Sequence, residues 1–264
     1  VFLWPREMRH DGKLFGFDLK ELARKKAKYV DTTQFYAQYY NDPNDPTSNR
    51  ISRDKFQYFD SKFLTNDRGA WFFKDRKLNI VAAMDFAFSL NKKADYTAIV
   101  VIGIDAENRI YVLDIDRFRT DKIKSYYDAL LDLHMKWGFR KIRCEVSVAQ
   151  KVLVKELKDS YIVPNGLMLS IDEHNPTRHS GSKEERIAAT LEPKYDNMQI
   201  WHQKNGMCTL LEEELMLARP PHDDIKDALT AAIDIAVAPT RNTNKLRKSN
   251  VVFDSRFGGV AFAG

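Results

Sequence analysis

The sequence predicts an α/β domain built on one mixed sheet, and three observations carry that prediction. Three apolar, β-branched runs follow one another between residues 78 and 119 with short polar turns between them, the pattern of an antiparallel meander. Downstream, helical periodicity alternates with short apolar runs up to residue 218, as it does when helices cover a sheet. Residues 224–237 then place Ile225, Ala228, Leu229, Ala232, Ile233 and Ala236 at i, i+3, i+4 and i+7 spacing, one apolar stripe of a helix lying against a core.

Residues 1–76 are rich in aromatic and charged side chains. Their middle, 17–43, reads as one or two helices, and NDPNDPTSNR (41–50) as a loop, because Pro, Asn, Asp and Ser dominate it. No independent core is visible there, so the segment is expected to pack onto the rest. The strand candidates are LNIVAAMDF (78–86), TAIVVIGID (97–105) and RIYVLDIDRFR (109–119), with turns at 91–93 and 107–108. KIKSYYDALLDLHMKW (122–137) reads as a helix stopped near Gly138. KIRCEV (141–146) is a strand, QKVLVKELKD (150–159) a helix and GLMLSID (166–172) a strand. SKEERIAATLEP (182–193) begins as a helix that Pro193 is expected to stop. NMQIWHQ (197–203) reads as a hairpin arm, and CTLLEEELMLA (208–218) as a helix with its glutamate run, 212–214, on the solvated face. Three antiparallel strands, then parallel strands alternating with helices, describe a ribonuclease H-like mixed sheet flanked by helices. The expected division is a linker-like appendage (1–76), the α/β domain (77–240) and a basic tail (241–264).

At 264 residues, 44% hydrophobic and 30% charged, the chain suits one large domain plus an appendage. No run approaches the roughly 18 apolar residues of a membrane span, and no signal peptide is visible. Cys144 and Cys208 lack metal-ligand spacing, as expected of reduced thiols in a cytosolic setting. His174, His179 and His202 lack it too. The first residue is Val1 rather than Met, which suggests a piece of a longer protein. The net charge of +5 sits almost wholly beyond residue 240, where Arg241, Lys245, Arg247, Lys248 and Arg256 face one acid, Asp254. Net charge therefore shows no nucleic-acid surface on the body.

Three acidic stations hold the chemistry: Asp85 at the end of one strand, Glu145 at the end of another, and Asp223, Asp224 and Asp227 at the start of the last helix. Packed on one sheet, they bring together carboxylates from distant parts of the chain. Like charges that close repel unless a cation neutralises them, and hard oxygen ligands suit Mg²⁺ or Mn²⁺. That is the usual basis of two-metal phosphodiester hydrolysis. Asp224 and Asp227 fall on neighbouring positions at one rim of the apolar stripe. Asp223 is assigned to capping the helix. Lys183 and Arg186 begin a helix near the proposed site and are candidates for phosphate contact.

With these residues in view, MDFAFSLNKKADYTAIVV, KIRCEV, SGSKEERIAATLEPKY and PPHDDIKDALTAAI resemble the nuclease domain of phage large terminase subunits, over about residues 77–238. LWPRE and FYAQYYNDP resemble the segment that joins the packaging ATPase to the nuclease in such proteins. No phosphate-cradling G-x-x-x-x-G-K-[ST] occurs, so the ATPase half of such a polypeptide is absent. The resemblance implies metal-dependent endonuclease activity on double-stranded DNA. Asp85, Glu145 and Asp224 would be the catalytic metal-binding acids, assisted by Asp223 or Asp227, with two Mg²⁺ or Mn²⁺ ions. Lys183 and Arg186, with Lys245, Arg247 and Lys248 of the tail, would meet the DNA. It further implies the portal protein and small terminase subunit as partners and the host cytoplasm as location. The spacing of Asp224 and Asp227 also resembles that of junction resolvases of the same fold. The alternatives are thus a resolvase or transposase, or a portal-docking module without catalysis.

Overall fold

The computed structural model describes residues 6–8, 14–16, 19–28, 35, 38–39, 51–87, 96–146, 150–175, 183–217 and 220–240. The expected loop at 41–50, the turn at 91–93, His179 and the tail with Lys245, Arg247 and Lys248 lie outside them. A hairpin of β1 (Arg6–Met8) and β2 (Leu14–Gly16) and helix α1 (Leu19–Lys26) come first. Next come β3 (Gln57–Phe59), β4 (Leu64–Asp67) and β5 (Ala70–Phe73). The predicted meander follows as β6 (Arg76–Asp85), β7 (Thr97–Ile104) and β8 (Ile110–Phe118), paired antiparallel. Helix α2 (Ile123–Trp137) ends at Gly138, whose left-handed φ of 68° suits a residue without a side chain.

The chain continues through β9 (Lys141–Glu145), α3 (Gln150–Leu157), a single π turn (Lys158–Ile162) and β10 (Ser170–His174). Helix α4 (Lys183–Asp196), β11 (Ile200–Gln203), α5 (Gly206–Met216) and α6 (Asp224–Asp234) complete it. The sheet runs β10-β9-β6-β7-β8-β11-β3. Strands β9 and β10 join the β6 side in parallel, as the predicted ribonuclease H-like arrangement requires. No described helix is long and apolar enough to cross a membrane.

The sheet is apolar on both faces, which is why its central strands read as near-continuous hydrophobic runs. Val81, Ala83, Ala98 and Val100 meet α4, α5 and α6 on one face, while Ala82, Met84, Ile99 and Val101 meet α2 and α3 on the other. A register shift between Val101 and Ile102 marks a bulge between β7 and β8. Through it both Val112 and Ile115 reach the α6 face, although they lie three positions apart and would face opposite ways in a regular strand.

Three expectations are corrected. Helix α4 runs through Pro193 to Asp196: the proline forfeits one amide hydrogen bond, while buried Leu191 and Tyr195 hold the last turn on the core. Strand β11 is not a hairpin arm but pairs in parallel with both β8 and β3. The glutamate run is not a solvated face, because Glu212 and Glu214 are buried and only Glu213 is exposed. Residues 57–73 pack onto the domain through sheet pairing, β3 with β11 and β5 with β6. The sheet thus crosses the expected boundary at 76/77.

Candidate active site

Sheet register assembles the site. Asp85 pairs with Glu145 across β6 and β9, and with Ala98 across β6 and β7; Ala98 in turn pairs with Arg117 on β8. Directly opposed residues point to the same face, so Glu145, Asp85, Ala98 and Arg117 form one row beneath α6. The backbone after Asp85 is pinned. The Thr97 hydroxyl accepts the Ala87 amide at 3.0 Å and donates to its carbonyl at 3.1 Å, and the Tyr126 hydroxyl donates to that carbonyl at 2.8 Å. Ala98 is small and fully buried, which leaves room for the first turn of α6 above the row.

That turn brings the third acidic station. Asp224 is 2% exposed and Asp227 7%, whereas Asp223 is half-buried. Asp224 Oδ2 accepts the Tyr96 amide at 3.2 Å and Arg117 Nη2 at 3.1 Å. Lys183 at the start of α4 forms an ion pair with Asp227 and lies 3.4 Å from Asp223 Oδ2. Arg186 Nη2 approaches Glu145 Oε1 at 3.5 Å. Beside Glu145 and Asp227 opens a cavity of about 270 Å³, rimmed by Arg143, His174, Lys183 and Arg186.

The electrostatics mark a strained cluster. Burial raises the Asp85 carboxyl well above its ordinary range, and the charges of Asp227, Glu145 and Asp224 push it the same way against Lys183. Burial takes Asp227 up to about 7 in spite of the neighbouring Lys183, with Asp223 adding to the rise. Burial would lower Lys183, but Asp227, Asp223 and Asp85 outweigh it and raise the ammonium instead. One oxygen of Asp227, Oδ1, is buried without a hydrogen-bond partner. Among the described residues, no three His, Cys, Asp or Glu side chains already close on one point as a ligand set. The donors are nonetheless all hard oxygens, converging from three elements and short of positive charge. They fit a divalent cation of the Mg²⁺ or Mn²⁺ kind, and Lys183 now supplies counter-charge to Asp227.

The cap assigned to Asp223 is a further correction. Asp223 makes no side-chain cap hydrogen bond; Glu214 of α5 instead accepts the Ile225 and Lys226 amides at 3.0 and 2.9 Å. A glutamate reaching across from a neighbouring helix leaves no local sequence signature, unlike the Asp just before the helix. Arg117 and Glu214, both with side chains largely buried at the site, were not singled out from the sequence.

The chain matches no known protein-family profile and no curated relative. Its structure is similar to the large terminase nuclease of the thermophilic phage G20c, at 14% identity over 74% of this chain and 100% of that one, with a TM-score of 0.49. The G20c nuclease has also been solved with zinc and with magnesium bound. The P22 large terminase nuclease domain is similar at 13% identity, covering 69% of this chain and 88% of its own, TM-score 0.46. RuvC of Thermus thermophilus is similar at 12%, over 58% and 91%, TM-score 0.38. These are likenesses of fold, and the ribonuclease H-like assignment itself follows from the strand order.

Proposed function

We propose that this chain is a metal-dependent DNA endonuclease: the nuclease domain of a viral terminase large subunit that cuts concatemeric genomes for packaging. One observation supports it above all. Asp85 and Glu145 end adjacent parallel strands in register, and α6 lays two buried aspartates over them. Asp85, Glu145 and Asp224 would be the principal ligands. Asp227 is favoured over Asp223 as the assisting acid, because it is buried and is the carboxylate that most disturbs Asp85. Two Mg²⁺ or Mn²⁺ ions bound there would supply an activated water and neutralise charge on the cleaved phosphate. Lys183 and Arg186, at the cavity rim, would turn from the carboxylates toward the DNA backbone once metal replaces them as counter-charge. Double-stranded DNA, the portal protein, the small terminase subunit and an ATPase domain of the same polypeptide are the partners this reading calls for, in the host cytoplasm.

The test is supercoiled plasmid incubated with micromolar protein and Mn²⁺ or Mg²⁺, with EDTA as control. Relaxation followed by degradation under metal alone is expected. A supercoiled band that persists under both metals contradicts the reading and leaves a non-catalytic docking module. The buried Asp224 and Asp227 pair keeps a junction resolvase as the second reading; preference for four-way junctions over linear duplex would decide for it.

A further inference from the structure

Arg117 stands at the far end of the row that begins with Glu145 and Asp85, and it is the one cation in that row. Its side chain is only 11% exposed. Nη2 lies 3.1 Å from Asp224 Oδ2 and 3.7 Å from Glu214 Oε1. The other Glu214 oxygen accepts the first amides of α6. One guanidinium thus ties the α6 acid to the carboxylate that caps α6. Its plane is further located by Tyr96, whose ring centroid is 4.0 Å from the Arg117 Cζ, and whose amide bonds the same Asp224 oxygen. Arg119 lies over that ring too, at 3.7 Å.

A buried ion pair is weak grounds for stability, since desolvating both charges offsets their attraction. What a planar, forked donor supplies is geometry. Small Ala98, between Asp85 and Arg117 in the row, has no side chain that could set how far Asp224 stands from Asp85. The Arg117 guanidinium, with the Tyr96 amide, holds Asp224 from the opposite side. We infer that Arg117 is a positioning residue of the acidic centre: by holding Asp224 and the first turn of α6 at fixed height over the row, it sets the spacing of Asp224 from Asp85 and Glu145 for a divalent cation. This rests on the metal-nuclease reading above and adds to it a residue outside the acids.

The experiment compares wild type, Arg117→Lys and Arg117→Met. Mn²⁺ binding is read from the spectroscopic signal of the free ion, thermal unfolding is followed in EDTA, and cleavage is titrated against Mn²⁺. Arg117→Lys keeps the buried charge and loses the fork. It is expected to melt within a few degrees of wild type, yet to bind Mn²⁺ about tenfold more weakly or worse. Cleavage by it should shift to higher Mn²⁺ and partly recover there, and Arg117→Met should lose more. Folded variants that bind Mn²⁺ as wild type does would overturn the inference, and so would loss of folding in both. A wild-type protein that neither binds Mn²⁺ nor cuts DNA would sink the functional reading itself, a result distinct from wild-type binding unaffected at Arg117.

Discussion

Two buried polar clusters lie on the same face of the sheet, and they are settled in opposite ways. Around β11, His202 is fully buried. Its Nδ1 donates to Glu212 Oε1 at 2.9 Å, the Tyr195 hydroxyl pairs with its Nε2 at 2.8 Å, and the Tyr58 hydroxyl donates to Glu212 Oε2 at 3.1 Å. Phe56 stacks on the imidazole at 5.2 Å. Every polar atom of that cluster's His and Glu side chains has a partner. Around Asp85, by contrast, four carboxylates (Asp85, Glu145, Asp223 and Asp227) share Lys183 and Arg186, and Asp85 and Asp227 are both driven toward protonation. A balanced cluster ties elements together; an unbalanced one stores a demand for positive charge, and perturbed groups of that kind gather at functional sites.

The largest effect should come from relieving that demand. Asp85→Asn and Asp227→Asn are each expected to lower plasmid cleavage about a hundredfold or more. The same changes should raise the stability of the metal-free protein at pH 8 by about 1–3 kcal/mol, because each removes a charge that folding buries at a cost. The pH dependence has a definite sign. A carboxyl whose folded value is raised binds more protons folded than unfolded between about 4 and 7, so the metal-free protein should lose stability as pH rises through that window. Asp227 and Glu214, both near 7 because burial dominates, contribute to it. Excess Mn²⁺ at pH 8 should restore the loss by binding only the folded form. Melting curves across pH in EDTA and in Mn²⁺ check this, and a metal-free protein most stable at high pH would contradict the picture.

The acidic half of this contrast was legible in the sequence; the His202–Glu212 half was hidden for physical reasons. Asp85, Glu145 and Asp224 could be read because each ends or begins an element with strong periodicity. Arg117 could not. Counting alternately from Ile110 and Val112 places 114, 116 and 118 on the α6 face, and the bulge near Val101 and Ile102 reverses that order. Glu212 carried a signal that was passed over: with Cys208, Leu211 and Leu215 it completes one helical stripe, all four buried. Glu214 is off that stripe and is buried by α6, a tertiary fact. Pro193 misled because a local rule for ending helices gave way to the burial of Tyr195.

The balanced cluster should fail in the other currency. His202→Ala or Glu212→Ala leaves buried polar partners unsatisfied and should destabilise the fold by about 2–4 kcal/mol. Cleavage per folded molecule should stay at the wild-type level, since neither residue touches the acidic row. Urea titrations with activity measured below the transition separate the two quantities. A His202→Ala protein that folds normally but no longer cuts would place the two clusters in one functional unit.

A smaller difference separates the two acids that compete for the α6 cap. Glu214→Ala removes the acceptor of the Ile225 and Lys226 amides and should cost about 1–2 kcal/mol, while Asp223→Ala should cost less than about 0.5 kcal/mol. The reverse ranking would return the cap to Asp223 and make Glu214 a mere neighbour of Arg117.

The smallest effect concerns the tail, and it extends the comparison from buried charge to exposed charge. The body is close to neutral, and Lys183 and Arg186, the two candidates for phosphate contact at its site, are engaged by Asp227, Asp223 and Glu145. Residues 241–264 hold a net +4. Without metal, then, DNA affinity should come mainly from the tail, and truncation after Pro239 should flatten the salt dependence. Each lost phosphate contact reduces the slope of log affinity against log salt by about 0.9. With Mn²⁺ in a non-cutting buffer, the ions take over the carboxylates and free Lys183 and Arg186 for the backbone. The truncated protein should then regain part of its slope, on the order of one or two contacts. DNA binding at two salt concentrations, with and without Mn²⁺, measures all four slopes. Equal slopes for full-length and truncated protein without metal would show that the body already presents its cations to DNA, and that the carboxylates do not hold them in check.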